Sequence, residues 1–194
     1  MTNEASEWRD GMPFFGGALW IDFLNTTPIV NGETIDFLAD ADGLAKWARA
    51  AGIDCSNKPS KAELKSAWEM RETLRKLFDQ ISAGEGISAR RLEPVDRLLG
   101  SVEIRERLIL RDGRVALAEE TRIEKDVVAA VVARDFAKFV CEAEPGRMKR
   151  CANPECSMVF YDRGRNNIRR WCTMAICGNR DKVAHYRARK AREK

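Results

Sequence analysis

The sequence has one histidine, His185, in 194 residues. Any mechanism that needs two histidines is excluded, that of the HNH-type nucleases included. No apolar run approaches the eighteen residues of a membrane span. Residues 1–20 lack a basic stretch followed by a long apolar one, so no signal peptide is expected and the chain is read as cytoplasmic. Internal repeats, low-complexity linkers and a heptad seam are all missing. Carboxylates such as Asp22 and Glu69 have no nucleophile–base spacing around them, so the chain is not read as an enzyme. What is present, 44% hydrophobic and 33% charged residues, describes a soluble globular chain with one sizeable core and room for a small module.

Six cysteines stand out against that background, because four of them cluster: Cys151, Cys156, Cys172 and Cys177, spaced C-x4-C-x15-C-x4-C. Two cysteine pairs separated by a modest insert build a closed tetrahedral Zn(II) site, each pair on a tight turn that aims two sulfurs at one ion. Pro154 favours such a turn in the first pair. Disulfides suit secreted chains, whereas paired cysteines in a cytosolic chain more often bind metal. The ferredoxin spacings of iron–sulfur proteins are absent. One structural Zn(II) per chain is therefore expected, with four sulfur ligands and no open position for catalysis. The isolated Cys55 and Cys141 are expected as buried thiols.

Charge is segregated along the chain. Residues 147–194 hold fourteen Lys or Arg and four Asp or Glu, a formal charge of +10, while the rest carries −6. Four thiolates and one Zn(II) would leave about +8 on this segment. A short basic module on an acidic body points to a polyanionic partner. The boundary falls near Glu144-Pro-Gly146, which divides the chain into 1–144 and 147–194.

The body reads as mainly helical. Asp40 or Asp42 caps a helix carrying Leu44, Trp47 and Ala48, which Gly52 ends. Ser60 with Glu63 forms a capping box ahead of Leu64, Trp68, Arg71, Leu74 and Phe78, with Leu77 and Ile81 widening the stripe. Ser88 opens a shorter helix through Leu92, Val95, Leu98 and Leu99, where Pro94 predicts a kink or break. Asp112-Gly113 between Leu108-Ile-Leu110 and Val115-Ala-Leu117 predicts a β-hairpin, which is expected to lie on the helices because an isolated hairpin is marginal in water. Residues 122–143 return to helix, with Ile123, Val127, Ala130, Val131, Phe136 and Val140 facing inward. Near the start, Trp20, Phe23 and Leu24 can share a helical face, or lie on a strand. Asp22, Asn25 and Thr26, with Arg71, are the candidate binders of a small ligand; the competing reading gives these polar groups only capping and turn bonds.

At this point the residues carry a resemblance. Cys172-x4-Cys177-Gly-Asn-Arg180, with Arg165-Asn-Asn-Ile-Arg-Arg-Trp171 before it, resembles the CGNR zinc finger. Ala18-Leu-Trp-Ile-Asp-Phe-Leu-Asn-Thr26 and Glu69-Met-Arg-Glu-Thr-Leu-Arg75 are similar to the ABATE domain that precedes this finger. The resemblance implies a bacterial stress-induced transcription regulator. It also implies a treble-clef finger that binds DNA and an N-terminal domain that binds an unknown ligand. The fold expected is an α+β N-terminal domain, mainly α with a small β-hairpin, plus a C-terminal treble-clef-like zinc finger.

Within that finger, Met158-Val-Phe-Tyr161 reads as a short strand and 162–167 as a polar loop. Gly178 allows a sharp turn beside Cys177, Asn179 or Asp181 caps a helix through Lys194, and Val183 and Tyr186 pack inward. Trp171 is expected beside the metal. Arg163, Arg165, Arg169, Arg170, Arg180, Lys182, Arg187, Arg189 and Lys190 are the candidate nucleic-acid contacts. Duplex DNA is the expected partner. RNA, stacked on Tyr161, Trp171 and Tyr186, and an acidic protein partner are the alternatives. A homodimer is compatible with one small finger's need for further contacts.

Overall fold

The structure is a computed structural model that describes residues 7–55 and 57–192. Among the described residues, six α-helices and four two-stranded antiparallel sheets are the main regular elements, with a 3-10 turn at Pro145–Arg147 and a π-helical turn at Met174–Gly178. The helices are α1 (Leu19–Leu24), α2 (Ala41–Ala50), α3 (Lys61–Ser82), α4 (Ala89–Leu99), α5 (Val127–Val140) and α6 (Asn179–Arg192). The sheets pair β1 (Trp8–Arg9) with β2 (Met12–Pro13), β3 (Ile29–Val30) with β4 (Glu33–Thr34), β5 (Val102–Arg111) with β6 (Arg114–Ile123), and β7 (Met148–Arg150) with β8 (Val159–Tyr161).

The short helix α1 is the centre of the body. Six residues cannot hold a helix in water by hydrogen bonds alone; this one is held by burial of everything from Trp20 to Leu24. Trp20 meets the rings of Phe78 on α3 and of Phe136 and Phe139 on α5, at 6.0, 5.1 and 5.5 Å. Phe23 meets Trp47 on α2 at 5.0 Å. The Asp135 carboxylate on α5 accepts from the Trp20 N–H at 2.9 Å and so caps α1 across the core.

The longer helices follow their sequence signals. Asp40 caps α2 by accepting from the Gly43 N–H, and Gly52 follows the helix with φ +73°. Ser60 and Glu63 close the expected capping box on α3, whose buried face runs Leu64, Ala67, Met70, Arg71, Leu74, Leu77, Phe78 and Ile81. Trp68 is a correction: it lies at the edge of that face, 37% exposed, because its indole N–H reaches the Leu38 carbonyl at 2.7 Å. Helix α4 runs unbroken through Pro94. The carbonyl that proline deprives, that of Arg90, belongs to an exposed residue, where water can supply the bond.

Two expectations about the middle of the chain fail. Residues 122 and 123 end β6 rather than opening a helix, and α5 starts at Val127 after Asp126 turns the chain with φ +54°. The β5–β6 hairpin forms with Asp112 and Gly113 at φ +53° and +73°, the pair of positive values that a two-residue turn of its type demands. It is ten residues per strand and does not lie on the helices along its outer half. Leu108, Leu110, Val115 and Leu117 are 63–77% exposed. Only near its base does α5 touch it, through Arg134 to Thr121 and Glu119 at 3.3 and 3.5 Å. Cys55 is half-buried, and Cys141, expected buried, is exposed where α5 ends.

The period of two along β8 divides the molecule's two cores. Val159 and Tyr161 face the body, and Met148 on β7 joins them there. Phe160 between them faces a second cluster, with Phe15, Met158, Cys151, Cys172 and Cys177.

A candidate metal centre and its basic helix

The β7–β8 hairpin places the first cysteine pair. Cys151 follows β7 directly, its N–H donating to the Met158 carbonyl at 2.9 Å, and Cys156 closes the intervening turn with an N–H bond to Asn153 O at 3.0 Å. The chain then loops back through 162–171. Cys172 precedes a π-helical turn, Met174–Gly178, that carries Cys177 and runs straight into α6. The four Sγ atoms all lie within 4.8 Å of one another. Cys156 and Cys172 are 3.8 Å apart, and Cys172 and Cys177 3.6 Å. A tetrahedron of sulfurs with Zn–S bonds of about 2.3 Å has edges of about 3.8 Å, so the donor set has the size and the chemistry that a zinc ion requires.

The surroundings suit thiolates. The Cys172 N–H donates to Cys151 Sγ at 3.4 Å, and the Asn153 side-chain amide to Cys177 Sγ at 3.5 Å. Crowding couples the thiols. The Cys156 and Cys172 thiols donate to Cys151 and pull it down to about 2. The same contact with Cys151 pushes Cys156 up to about 12, and contacts with Cys151 and Cys156 push Cys172 upward too. Further thiolates in the cluster need a cation to share.

The helix after Cys172 begins earlier than expected. Thr173, not Asn179 or Asp181, is the cap, its hydroxyl accepting from the Ile176 N–H at 3.1 Å. Asn179 lies inside the helical run and donates to the Ala175 carbonyl at 3.1 Å. Gly178 makes no left-handed turn. It is small because a Cβ there would come within 2.7 Å of Met174 Sδ and 3.3 Å of the Trp171 ring. Trp171 is half-buried beside the cysteines, with the Arg170 guanidinium 5.0 Å over its ring.

Helix α6 buries little of its surface: among its described side chains only Asp181 is half-buried. Val183 and Tyr186, expected inward, are 47% and 55% exposed, and Arg180, Lys182, Arg187, Arg189 and Lys190 are exposed with them. With alanines and charges around it, this helix has no apolar face wide enough to bury. His185 is exposed and only faces Asp181 one turn earlier, at 3.5 Å. A groove of about 700 Å³ runs between α6 and the turn of the first cysteine pair, lined by Trp171, Ile176 and Val183 together with Arg180 and Arg187. In the preceding loop Arg163, Arg165 and Arg170 are exposed, Arg163 also donating to the Gly17 carbonyl at 2.8 Å.

Arg169 is different. Its guanidinium lies 4.2 Å over the Phe160 ring and donates to the carbonyls of Phe15, at 3.0 Å, Trp171, at 3.1 Å, and Cys172. Burial pulls its pKa down from the usual arginine value. Its donors are committed beside the cysteines. Sequence reasoning also missed Asp162, an acid in a basic segment. It is 1% exposed and accepts from Lys149 Nζ at 3.0 Å, the Arg169 N–H at 2.8 Å and the Gly164 N–H at 2.9 Å. Burial alone would raise its pKa; the Lys149 ammonium and the two amides outweigh that and hold it below the ordinary value. This acid organises the loop that returns the chain to Cys172.

The candidate ligand residues all have partners inside the chain. Asp22 accepts from the Gly16 N–H at 2.7 Å. Thr26 donates to the Phe23 carbonyl and accepts from Arg71, whose fork also grips Asp36 at 2.7 and 2.6 Å. Asn25 behaves as one more strand residue: its side chain donates to the Val159 carbonyl and accepts from the Val159 N–H, both at 2.9 Å. Three of the four are thus brought together with one another or with β8. The contact between body and cysteine module is continued by Tyr161 N–H to Gly16 O at 2.7 Å and by an Arg150–Asp79 ion pair.

A β-hairpin that supplies one cysteine pair, followed by a loop and a helix whose first turns supply the other, defines the treble-clef-like class of zinc finger. Comparison with protein families agrees. Residues 147–190 match the CGNR zinc finger. Residues 17–143 match the ABATE family, described as "Putative stress-induced transcription regulator". That match spans more than half of the chain, and the chain belongs to this family of transcription regulators, which is not described as one of enzymes. No curated protein matches the chain. Among the described residues, no helix is long and apolar enough to cross a membrane.

Proposed function

We propose that the chain regulates transcription by binding duplex DNA through 147–194, with one structural Zn(II) held by Cys151, Cys156, Cys172 and Cys177, and that 1–144 senses a signal. The observation that carries the DNA reading is α6. It is a 14-residue helix, near the length at which isolated helices are marginal, exposed at every described side chain but the half-buried Asp181 and studded with arginine and lysine. Such a helix fits the major groove of B-DNA, whereas the major groove of A-form RNA is too narrow for it. The RNA alternative also loses its stacking platform. Tyr161 is taken by Phe139, ring to ring at 4.8 Å, and Trp171 and Tyr186 carry the guanidinium groups of Arg170 and Arg189 over their rings at 5.0 and 5.8 Å.

Titrating duplex DNA against salt tests this. With about four to six phosphates engaged, log K should fall with log[salt] at a slope near −4 to −5. Arg187→Ala or Arg165→Ala should reduce the slope by about one if the residue touches phosphate alone. If duplex binding is weak at low salt and neither change moves it, the basic helix serves an acidic protein instead.

For the body, the bond network suggests how sensing reaches the finger. Arg71 holds Thr26, and Asn25 beside it holds Val159 of β8, so a ligand that draws Arg71 away disturbs the strand before the metal loop. Arg71→Lys, which keeps the charge near Asp36 but cannot form the same fork, should change DNA affinity about threefold or more at unchanged zinc content. Unchanged affinity would remove this route.

A further inference from the structure

The outer half of the β5–β6 hairpin is explained by neither the finger nor the body's core. On one face Leu108 and Leu110 stand opposite Leu117 and Val115 in register, with Ile104 nearer the body on the same face. The four tip side chains are 63–77% exposed and Ile104 is 52% exposed. The other face satisfies itself: Arg105 pairs with Glu103 at 3.0 Å and Arg107 with Glu120 at 3.8 Å. Two strands alone are marginal in water, so an uncovered aliphatic face needs a cover.

We infer that this face is a self-association surface, on which the hairpins of two copies of the chain stack antiparallel across a two-fold axis. Charge placement argues for a second copy over any other occupant. The aliphatic patch is bracketed by two like-charge pairs directly opposite each other across the strands: Glu106 with Glu119 on the body side, and Arg111 with Arg114 at the tip. Like charges in that arrangement repel. Arg134 relieves Glu119 only in part, at 3.5 Å.

An axis through the middle of the patch, at the level of Ile109 and Ala116, reverses one hairpin on the other. The tip row, two residues beyond the axis, then faces a point one residue short of the glutamate row, three residues before it. At about 3.4 Å per residue this offset is within an arginine's reach. Arg111 and Arg114 leave the strands on the opposite face, but their long stems can wrap the end of the hairpin to present guanidinium groups to the glutamates of the second copy. An isologous contact of this kind forms the arginine–glutamate meeting twice, once at each end of the stack. The exposed aliphatic area is on the order of 400 Å² per copy, the size at which apolar patches mark interaction sites. Doubled and extended by Ile104 and the arginine stems, it approaches the ~1,000 Å² of a specific interface.

The test is the mass of the full chain in solution without DNA, so its outcome is separate from that of the DNA reading. Light scattering or sedimentation at micromolar concentration should give twice the 22.0 kDa of one chain. Leu108→Glu with Leu117→Glu should give a monomer with unchanged helix content. Glu106→Lys with Glu119→Lys should weaken the dimer about tenfold or more, the effect expected for unpaired interface charges, and adding Arg111→Glu with Arg114→Glu should restore it. Because the charge swap changes no aliphatic residue, it decides the matter even if the leucine variant misfolds. A monomeric wild-type chain, or a dimer indifferent to the leucine changes, would overturn the inference. Weakening without restoration would overturn the antiparallel arrangement.

Discussion

Cys177→Ser is expected to abolish stoichiometric zinc binding and duplex-DNA binding, and also to lower the melting temperature of the remaining body by roughly 10 °C. The first two effects follow from size. Apart from its cysteines, the finger's core is Phe15, Met158 and Phe160, too little apolar surface to order 40-odd residues without the roughly 10 kcal/mol or more that a structural zinc ion contributes to folding. Serine offers a poor ligand in place of a thiolate, and Asn153 loses its sulfur acceptor. The third effect follows from the shared strand β8. If β7 and β8 lose their anchor, the body loses Met148 and Val159 from its core. Asn25 and the Gly16 carbonyl lose the Val159 and Tyr161 partners that satisfy them. A buried polar group left unpaired costs about 1–3 kcal/mol, and two or three such groups shift the melting point of a domain this size by several degrees each. Metal analysis and circular-dichroism melts of wild type and variant are the measurements. A body that melts at an unchanged temperature would show that 1–144 folds without the finger, and retained DNA binding would move the function away from the finger.

How much of this was legible in the sequence depends on whether the signal was local. The cysteine spacing, the Ser60–Glu63 box, Asp40 and the Asp112-Gly113 turn are each decided within a few residues, and each forms as read. Asp10-Gly11 and Asn31-Gly32 close two further hairpins with the same positive φ pairs. Their strands are two residues long, too short to show alternation. The errors arise where a residue's fate is set at a distance. Arg169 looks like any loop arginine, and only the folded chain brings the Phe15 carbonyl to it, 154 residues away. Asn25 reads as a turn residue until β8 arrives beside it. Asp162 gave a faint signal, an acid among fourteen basic residues, which net charge discards. Sequence reasoning places Val183 and Tyr186 inward because helices normally bury such side chains. That rule presumes a surface to pack on, and Val183 and Tyr186 of α6 stay 47% and 55% exposed.

Asp22→Asn is expected to raise stability at neutral pH and to remove a pH dependence. Burial pushes the Asp22 carboxyl up to about 7, against the lowering effects of the Gly16 N–H and of Arg9, with Asp135 raising it further and Arg169 lowering it. In the unfolded chain the same group titrates near its ordinary value of 3.8. Below that pH both states hold the proton and the folded state is not penalised. As pH rises from about 4 to about 7, the unfolded state releases its proton and the folded state does not, so the folded state binds more protons and stability falls. Above about 7 both are ionised and the penalty is constant. Three pH units at about 1.4 kcal/mol each set it at about 4 kcal/mol. Asp36 and Asp162, whose pKa values are lowered, work in the opposite direction and lose their contribution as the pH falls below the ordinary carboxylate range. Asparagine keeps an oxygen for the Gly16 N–H and carries no charge. The difference in urea-unfolding free energy between the two proteins should therefore be near zero at pH 4 and grow toward pH 7 in favour of the variant. Taking the difference cancels what the cysteine cluster contributes to both. A difference that stays flat across this range would mean that Asp22 ionises freely in the folded chain. The buried carboxylate that bears this penalty accepts from the Gly16 N–H, and the Gly16 carbonyl holds Tyr161 of β8. A change of charge at Asp22 is therefore felt at the strand that joins the body to the finger.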